Sequence, residues 1–586
     1  MNIRGARLLA VALLAALATP ALSGEAVAAD ASDGQARKPS NMKKKQLGDP
    51  LFRFQWHLEN RGQRVFGDEL PVAGVDLNMA DLHQSGVRGK GVIVGVVDDG
   101  LEIRHEDLQD NVVWGGSKNF VDGSNDPTPI NGVNGHGTSA AGLIGAVGWN
   151  GLGTRGIAPE VRLKGFNMLS EDIEGVPNQD EAISYAWGGG REAADIGVFN
   201  NSWARSTPFY ILESSAELRS WVRMMQSMRD GKGGIYVKSA GNDFRSYANA
   251  ACPNPLALQY QTSCIHANAD PRNSLESVIT VAAVRADGRR SSYSSAGSSI
   301  WVSGFGGEYG VERSVRDLGD NFPYAPATVT TDLSGCQRGY NSQANIARNR
   351  FDGGSNLDGT CSYTASFNGT SAAAPTVSGV AALMLGVNSS LSARDVKYIL
   401  AMTARPIDLG QPRSIYQGVT IDPGWVTNGA GHRFSNWYGF GLVDAKAAVD
   451  KARNFSSLPA RRTTGWLKSN DSASIIGGIR SSASMSVDVP RNLKIETVQV
   501  SFNTTHKTPG NLRAVLVSPS GTRSYIFTPF SHVNAPGGFE AKLTASNAFL
   551  DERSRGRWSL EVVDVVDANS TATLESFELR VLGYQG

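Results

Sequence analysis

The stretch Gly91–Val97, which reads GVIVGVV, is the feature that most restricts how this chain can fold. Its apolar residues do not alternate with polar ones, a pattern typical of a strand buried on both faces of a parallel sheet. Similar short runs occur at 235–237 and 278–281. The spacing of Ser392 and Asp395 predicts a capping box at a helix start. Strands that alternate with helices predict an α/β domain with a mainly parallel sheet.

The pattern divides the chain into two folded parts. The α/β pattern extends over residues 49–455. Over residues 456–586, apolar residues alternate with polar ones, as at Val498, Val500 and Phe502, and Pro/Gly turns separate the runs. We therefore expect an antiparallel β-sandwich after the α/β domain.

The amino-terminal end has the order of features that secretory signal peptides have. Arg4 and Arg7 precede an apolar run over residues 8–18, and small residues follow. The run is too short to span a bilayer. Residues 1–24 are therefore predicted to be a signal peptide and residues 25–48 a polar tail. No later stretch reaches the length of a membrane span, so we expect a secreted protein without one.

The charge balance restricts the classes of partner. The chain has 56 Lys and Arg residues against 55 Asp and Glu residues, a net charge of +1. A protein with this balance has no global attraction to nucleic acid or to an anionic membrane surface. Nucleic acid is therefore not expected as a partner.

Four cysteines are present, at Cys252, Cys264, Cys336 and Cys361. An even number in an exported protein predicts two disulfides. Three pairings are possible, of which the pairing of sequence neighbours joins Cys252 to Cys264 and Cys336 to Cys361. A zinc site is the alternative, but the chain has no CxxC pair and no His at ligand spacing.

Three short motifs together predict a nucleophilic serine. The strand that begins at Gly91 runs up to Asp98, at the edge where parallel sheets place functional side chains. His136 opens the run HGTSAAG, and Ser371 lies in GTSAAAP. A serine hydroxyl becomes an effective nucleophile when an imidazole takes its proton and a carboxylate orients that imidazole. Each motif alone is common in turns and packed helices, but all three in this order predict a catalytic triad.

With these motifs the chain resembles the subtilisin-like serine proteases of the kexin/furin branch, whose triad runs Asp, His, Ser. The resemblance covers the chain from Asp49 to its end and is carried by DPLF at 49–52, DDG at 98–100, TTDL at 330–333, TNG at 427–429, YGFGLVD at 438–444 and LVSPSGTRS at 516–524. It implies a subtilisin-like catalytic domain over 49–455 and a P domain over 456–586.

The resemblance also implies the role of each catalytic residue. Ser371 corresponds to the nucleophile, His136 to the general base and acid, and Asp98 to the carboxylate that orients the imidazole. Asn242, which follows Ser-Ala-Gly after the strand at 235–237, corresponds to the amide that stabilises the oxyanion. An ordinary turn residue is the alternative interpretation of Asn242.

Two acids are implied to bind the substrate. Asp99 matches the acid that faces a basic side chain next to the scissile residue, and Asp270 matches the acid of the primary specificity pocket. The chain departs from the pattern after Trp203, where no acidic segment follows, and at Ser295, where a Glu is expected. We predict cleavage after basic residues, including dibasic pairs, with a broad-specificity protease as the alternative. An inactive surface-binding protein is a third interpretation, which the intact triad disfavours.

The resemblance implies a Ca²⁺ site and raises the question of folding assistance. Its ligands would be the side chains of Asp49, Asp107 and Asn150 and the carbonyls of Val147, Leu152 and Thr154, all of them oxygen donors. A helix-edge charge is the alternative interpretation of Asp107. The segment between the signal peptide and the enzyme is shorter than the folding propeptide that subtilases usually carry. We therefore expect that a separate chaperone assists folding or that none is needed.

Overall fold

The structure is a computed structural model that describes residues 48–129, 135–169, 179–205, 215–247, 250–479, 481–533 and 535–586. The predicted signal peptide and the predicted tail up to residue 47 lie outside the described residues. The strands of the first part are β1 (Ile93–Asp98), β2 (Lys118–Asn119), β3 (Arg162–Asn167), β4 (Val198–Asn201), β5 (Ile235–Ser239), β6 (Ser246–Tyr247), β7 (Ala250–Ala251), β8 (Val278–Val284), β9 (Val302–Phe305), β10 (Thr328–Thr331), β11 (Tyr363–Phe367), β12 (Ser414–Tyr416), β13 (Val419–Asp422), β14 (Val426–Thr427) and β15 (Arg433–Phe434). The helices are α1 (Ala80–Gln84), α2 (His136–Gly145), α3 (Gln179–Ser184), α4 (Ser215–Ser227), α5 (Pro255–Gln259), α6 (Thr370–Val387), α7 (Ala393–Thr403) and α8 (Ala445–Arg453).

Seven parallel strands form the main sheet in the order β2-β3-β1-β4-β5-β8-β9. Both faces of this sheet are covered. In β1, Val94 and Val96 belong to the core that contains α2 and α6, whereas Val97 belongs to the core on the opposite face. The predicted α/β fold with a buried parallel sheet is therefore confirmed, and the unalternated apolar run of β1 is explained by burial on both faces.

The neighbouring strands β1, β4 and β5 point the same way, so their carboxyl ends meet at one edge of the sheet. β1 ends at Asp98, β4 is followed by Ser202, and β5 is followed by the loop that contains Asn242. Functional side chains in open parallel sheets collect at this edge.

The long helix α6 runs through the core of the first part and packs on the main sheet, α2 and α8. Of the helices in the described residues, it alone is long and apolar enough to cross a bilayer, and 89% of it is buried inside the protein. Such burial explains why it is apolar on all sides. The predicted capping box is confirmed in the next helix, where Ser392 and Asp395 bond each other's backbone amides at the start of α7.

The second part is an antiparallel β-sandwich. Its strands are β16 (Arg461–Thr463), β17 (Leu467–Lys468), β18 (Ala473–Ile476), β19 (Ala483–Val489), β20 (Lys494–Thr504), β21 (Leu512–Val517), β22 (Arg523–Phe527), β23 (Phe539–Ser546), β24 (Gly556–Asp564) and β25 (Thr571–Tyr584). One sheet has the order β16-β25-β20-β23, with β17 and β18 also paired to β25, and the other has the order β19-β24-β21-β22. The two sheets enclose a shared apolar core that includes Phe502, Leu516 and Trp558.

The sandwich packs closely on the α/β part, and the described chain forms one compact unit. Ala548 and Leu550 of the sandwich belong to the core cluster of the α/β part. The Nδ2 of Asn547 donates to the carbonyls of Ser299 and Ile300 at 2.8 and 3.2 Å. The predicted boundary between residues 455 and 456 falls in the connection between α8 and β16.

Both disulfides join sequence neighbours, Cys252 to Cys264 and Cys336 to Cys361. This is the pairing expected for two short loops, and it leaves none of the described cysteines free. The zinc alternative is therefore wrong.

Candidate active site

His136 is the first residue of α2 and lies against the end of β1. Its Nδ1 is 2.8 Å from Oδ1 of Asp98, which is almost fully buried. Since a carboxylate only accepts, Nδ1 carries the hydrogen and Nε2 is left as the basic nitrogen. The close approach depends on Gly137, where a Cβ would lie 2.1 Å from the carbonyl oxygen of Gly100.

Asp99 holds the first turn of α2 in place. One of its oxygens accepts the His136 amide at 3.1 Å and the other accepts the Gly137 amide at 2.7 Å. Burial and the neighbouring Asp98 charge raise the pKa of Asp99 to about 6. Burial disfavours the imidazolium form of His136, but the charges of Asp98 and Asp99 outweigh it and raise the pKa of His136 to about 9.

Ser371 lies in the first turn of α6, one residue after the helix begins. Its Oγ donates to the carbonyl of Ser202 at 2.8 Å, and the Oγ of Ser202 donates to the carbonyl of Ser371 at 2.8 Å. The preceding Gly369 has φ of 95°, a conformation that side chains rarely adopt, so the turn into this helix favours glycine. The amide of Gly369 donates to Oη of Tyr293 at 2.8 Å, which anchors the turn.

Asn242 presents a side-chain amide beside the start of α6. Its Oδ1 accepts both the amide and the hydroxyl of Thr370 at 2.8 Å, and this leaves Nδ2 as a donor. A Cβ on Gly369 would lie 3.1 Å from that Nδ2, so the amide nitrogen approaches the turn that carries Ser371. The side chain of Asn242 is exposed.

The structure places His136 against Asp98 and Asn242 against the helix start that carries Ser371, while the Oγ of Ser371 donates to the carbonyl of Ser202. A carboxylate, an imidazole, a hydroxyl at a helix start and an amide donor define the class of serine hydrolases, in which an acyl group passes through the serine. Three residues beside this site, Ser202, Thr370 and Tyr293, carry no motif that predicted a role for them. A signal for Ser202 was available, because Pro375 stands four residues after Ser371 and cannot supply the amide that would bond its carbonyl.

Comparison with known proteins identifies the family. A model of the subtilase family matches residues 89–441, and a model of the proprotein convertase P-domain matches residues 495–581. The chain belongs to the subtilase family and is a serine protease with a P domain.

The relatives of this chain are themselves proteases. An extracellular serine protease of Aeromonas sobria is 38% identical over 91% of this chain and 87% of its own length. Furin of Rattus norvegicus is 27% identical over 91% of this chain and 58% of its own length. The crystal structure of the Aeromonas sobria serine protease in complex with a chaperone matches with a TM-score of 0.84 at 35% identity, covering 93% of this chain and 97% of that one.

The residues predicted to bind calcium come together in and around the segment 147–154, which follows the carboxyl end of α2. The Oδ1 of Asp107 accepts a hydrogen bond from the side-chain Nδ2 of Asn150 at 2.8 Å, and its Oδ2 accepts one from the backbone amide of Thr154 at 2.9 Å. Burial is the main reason why the pKa of Asp107 is raised well above its usual value, and the charge of the nearby Asp49 adds to this effect. Arg155 contacts Oδ2 of Asp49 at 2.6 Å, and the backbone amides of Trp149 and Asn150 also face this carboxylate, whose Oδ1 is buried.

This arrangement fits a cation with oxygen ligands. Asp107 and Asp49 are carboxylates in a buried setting whose charges disfavour each other, and among the described residues Arg155 is the basic residue that contacts Asp49. In the described chain no group of three or more His, Cys, Asp or Glu side chains could hold a metal, so amide and carbonyl oxygens would complete the set. Among the carbonyl candidates, Val147 donates its amide to the Asp107 carbonyl at 2.8 Å, and the partly exposed Leu152 donates its amide to Asn150 at 2.9 Å.

Asp270 does not have the surroundings expected of a pocket acid. Its side chain is buried, and its Oδ2 lies 3.1 Å from Nζ of Lys238 and 3.6 Å from Nη1 of Arg272. Burial would raise the pKa of Asp270, but the two cations hold it well below its usual range. In this structure the carboxylate that was predicted to meet a substrate cation is instead paired with two cations of the protein.

Proposed function

We propose that the protein is a secreted serine endopeptidase in which Ser371 is the nucleophile, His136 the general base and acid, and Asp98 the orienting carboxylate. The observation that carries this proposal is the 2.8 Å contact of His136 Nδ1 with Asp98, and the contact of Asn242 with the helix start that carries Ser371 supports it. The geometry supports this function better than the inactive, surface-binding alternative, because no member of the catalytic set is missing.

The chemistry follows from these positions. The Oγ of Ser371 attacks the scissile carbonyl carbon while Nε2 of His136 takes its proton, and the carbonyl electron pair moves onto the oxygen. Nδ2 of Asn242 donates to that oxyanion. The C–N bond then breaks, the leaving amine takes the proton from His136, and an ester on Ser371 remains. Water hydrolyses this ester by the same proton transfers and returns Oγ to the free hydroxyl.

The preference for the residue before the cleaved bond is a proposal separate from that of the reaction. The sequence predicts cleavage after basic residues through Asp270, with Asp99 as a second acid. The pairing of Asp270 with Lys238 and Arg272 favours the alternative of broad specificity at the scissile residue. Asp99 remains the candidate acid for a basic side chain next to that residue, since it carries a negative charge above its pKa of about 6, although its side chain is buried against the start of α2.

We further propose that Ca²⁺ stabilises the fold. Asp49, Asp107, Asn150 and Thr154 would hold it, with carbonyls of the 147–154 segment. The bound ion would supply the positive charge that the two carboxylates lack, and it would take no part in the reaction because this cluster is separate from the triad. Its contribution to stability would follow its concentration, since a ligand of the native state alone shifts the unfolding equilibrium.

Export and assisted folding complete the proposal. The signal-like residues 1–24 and an extracellular relative support secretion. The relative that crystallised with a chaperone supports a separate folding partner for this chain. Co-expression with and without such a partner, with the yield of active enzyme as the measurement, tests the second point.

The experiment that tests the function combines labelling and hydrolysis. A fluorophosphonate probe should label the purified protein on Ser371, and the protein should cleave an unfolded protein substrate. Ser371→Ala should abolish both and leave the circular dichroism spectrum and the unfolding temperature unchanged. Loss of a triad member commonly costs about 10⁴-fold or more in kcat. A Ser371→Ala variant that retains more than about a hundredth of the parental kcat would contradict the assignment.

A further inference from the structure

Lys238 is a buried lysine next to the catalytic machinery that the proposed reaction does not use. It lies in β5, four residues before Asn242, and pairs across the sheet with Asn201 of β4. Its side chain has no exposed surface. Burying an ammonium group costs free energy unless the group is paired, so the partners of Lys238 indicate its role.

The partners of Lys238 are acidic and aromatic. Its Nζ is 3.1 Å from Oδ2 of Asp270 and 5.0 Å from the ring centre of Trp203. The guanidinium of Arg272, also buried, lies 3.6 Å from the same oxygen of Asp270 and 5.6 Å from the ring centre of Trp203. Oδ1 of Asp270 accepts the amide of Arg272 at 3.0 Å. Arg272 also lies 3.8 Å from Oδ1 of Asp180, so Lys238 is the nearest cation to Asp270 and Arg272 is shared between two carboxylates.

Trp203 connects this cluster to the catalytic edge of the sheet. Trp203 follows Ser202, whose carbonyl accepts the hydroxyl of Ser371. The Trp203 ring is fixed by a hydrogen bond from its Nε1 to the carbonyl of Val97 at 3.0 Å, and Val97 precedes Asp98. Trp203 therefore joins the sheet edge that carries Asp98 and Ser202 to the pair of Lys238 and Asp270.

We propose that Lys238 determines specificity: its ammonium occupies the position at Asp270 that a basic substrate side chain would need, so the primary pocket does not select for positive charge. This inference rests on the proposed endopeptidase function and refines it. A third cation would join a carboxylate that Lys238 and Arg272 already neutralise, and like charges at close range are unfavourable. Trp203 offers an apolar surface, so uncharged side chains should be accepted as well as charged ones.

The expected size of the effect follows from measured charge pairs. A buried carboxylate that faces a free basic side chain commonly contributes about 30-fold to several thousand-fold in selectivity. With Lys238 in place we expect the positive charge of the substrate side chain to change kcat/KM by no more than about threefold, because Asp270 is already paired.

The first experiment uses the parent enzyme and peptide amides that differ only in the residue before the cut. Arginine is compared with citrulline, which has nearly the same shape and no charge, and with leucine. Active enzyme is counted beforehand by fluorophosphonate labelling. A ratio of kcat/KM for arginine over citrulline within about threefold supports the proposal, and a ratio above about 30 overturns it. Failure of labelling and of all hydrolysis would contradict the proposed function instead.

The second experiment removes the internal cation. In Lys238→Met the arginine-to-citrulline ratio should rise at least tenfold, because Asp270 loses its nearest partner. The double variant Lys238→Met/Asp270→Asn should return the ratio to the parental value. Lys232→Met, at an exposed lysine of the same segment, is the matched control and should leave the ratio unchanged. A fully labelled Lys238→Met enzyme with the parental ratio would overturn the proposal.

A variant that retains the internal pair guards against misfolding of Lys238→Met. Lys238→Arg keeps a positive charge beside Asp270 and should therefore leave the arginine-to-citrulline ratio within about threefold of the parental value. A tenfold rise in that ratio in a fully labelled Lys238→Arg enzyme would show that the cation at position 238 does not set the preference and would overturn the inference.

Discussion

Ser202 and Ser371 exchange two hydrogen bonds, each 2.8 Å long: the hydroxyl of either serine donates to the carbonyl of the other. The bond to the Ser371 carbonyl has a specific cause in the sequence. The residue four positions after Ser371 is Pro375, which has no amide hydrogen, so the usual helical donor to that carbonyl is missing. Ser202 supplies a substitute and thereby ties Ser371, the proposed nucleophile, to the end of β4.

This relationship predicts a rescue. Ser202→Ala should lower the free energy of unfolding by about 1–3 kcal/mol, because a buried carbonyl loses its partner, and should lower kcat through a less well positioned Ser371. Adding Pro375→Ala restores an amide at the helical position and should recover part of both losses. The measurements are denaturant unfolding and steady-state kinetics on the two single variants and the double variant. Strictly additive effects in this cycle would contradict the explanation.

A second prediction concerns pH. His136 must be neutral to act as the base, so kcat/KM should rise with pH through the pKa of His136, which lies near 9. The Asp99 charge, present above about pH 6, stabilises the imidazolium form and keeps that pKa high. Asp99→Asn removes the charge and should therefore move the rising limb of the profile to lower pH. Asp81→Asn, at an exposed carboxylate on α1, is the control and should leave the limb in place. A limb that shifts upward in Asp99→Asn would contradict the assignment.

A third prediction concerns the oxyanion. Asn242→Ala should lower kcat by about 10²–10³-fold and change KM little, because the amide acts on a charge that develops only in the transition state. The fold should persist, since Asn242 is exposed. Steady-state kinetics with one peptide amide give both constants. If KM rose and kcat stayed the same, the side chain would bind the ground state instead.

A fourth prediction concerns calcium. Removal of Ca²⁺ with a chelator should lower the unfolding temperature, and at about 100 times the Kd the ion should add about 2.7 kcal/mol to the free energy of unfolding. In Asp107→Asn the calcium-dependent shift should largely disappear. Asp110→Asn, at an exposed carboxylate three residues away, should keep it. Identical melting of the parent with and without calcium would exclude this role.

A fifth prediction concerns the contact between the two parts. Asn547 bonds the carbonyls of Ser299 and Ile300 and accepts the Thr497 hydroxyl at 2.8 Å. Asn547→Ala should cost about 1–3 kcal/mol in the free energy of unfolding, since it leaves buried groups unbonded, while kcat stays unchanged. Asn569→Ala, at an exposed turn of the sandwich, is the control.

Because the sandwich packs on the α/β part through these contacts, a chain that ends at residue 455 should melt at a lower temperature than the full chain.

Much of the fold and of the catalytic set could be predicted from the sequence, because the signals are local. The apolar run of β1 requires two covered faces, and Ser392 with Asp395 requires a helix start. His136 and Ser371 stand in runs of small residues that allow close approach to a sheet edge, as Gly137 shows. Neighbouring cysteines can bond over short loops. In each case the physical cause lies within a few residues of the feature.

The surroundings of the acids were decided only by the tertiary structure. By itself, the sequence determined that Asp98 lies at the end of a strand and that His136 and Ser371 lie at the starts of two helices. Only the folded structure places Lys238, 32 positions away in the chain, against Asp270, because two segments of unrelated sequence meet beneath the same sheet edge. The electrostatic state of a carboxylate depends on every charge within a few ångströms, and a linear sequence does not contain those distances.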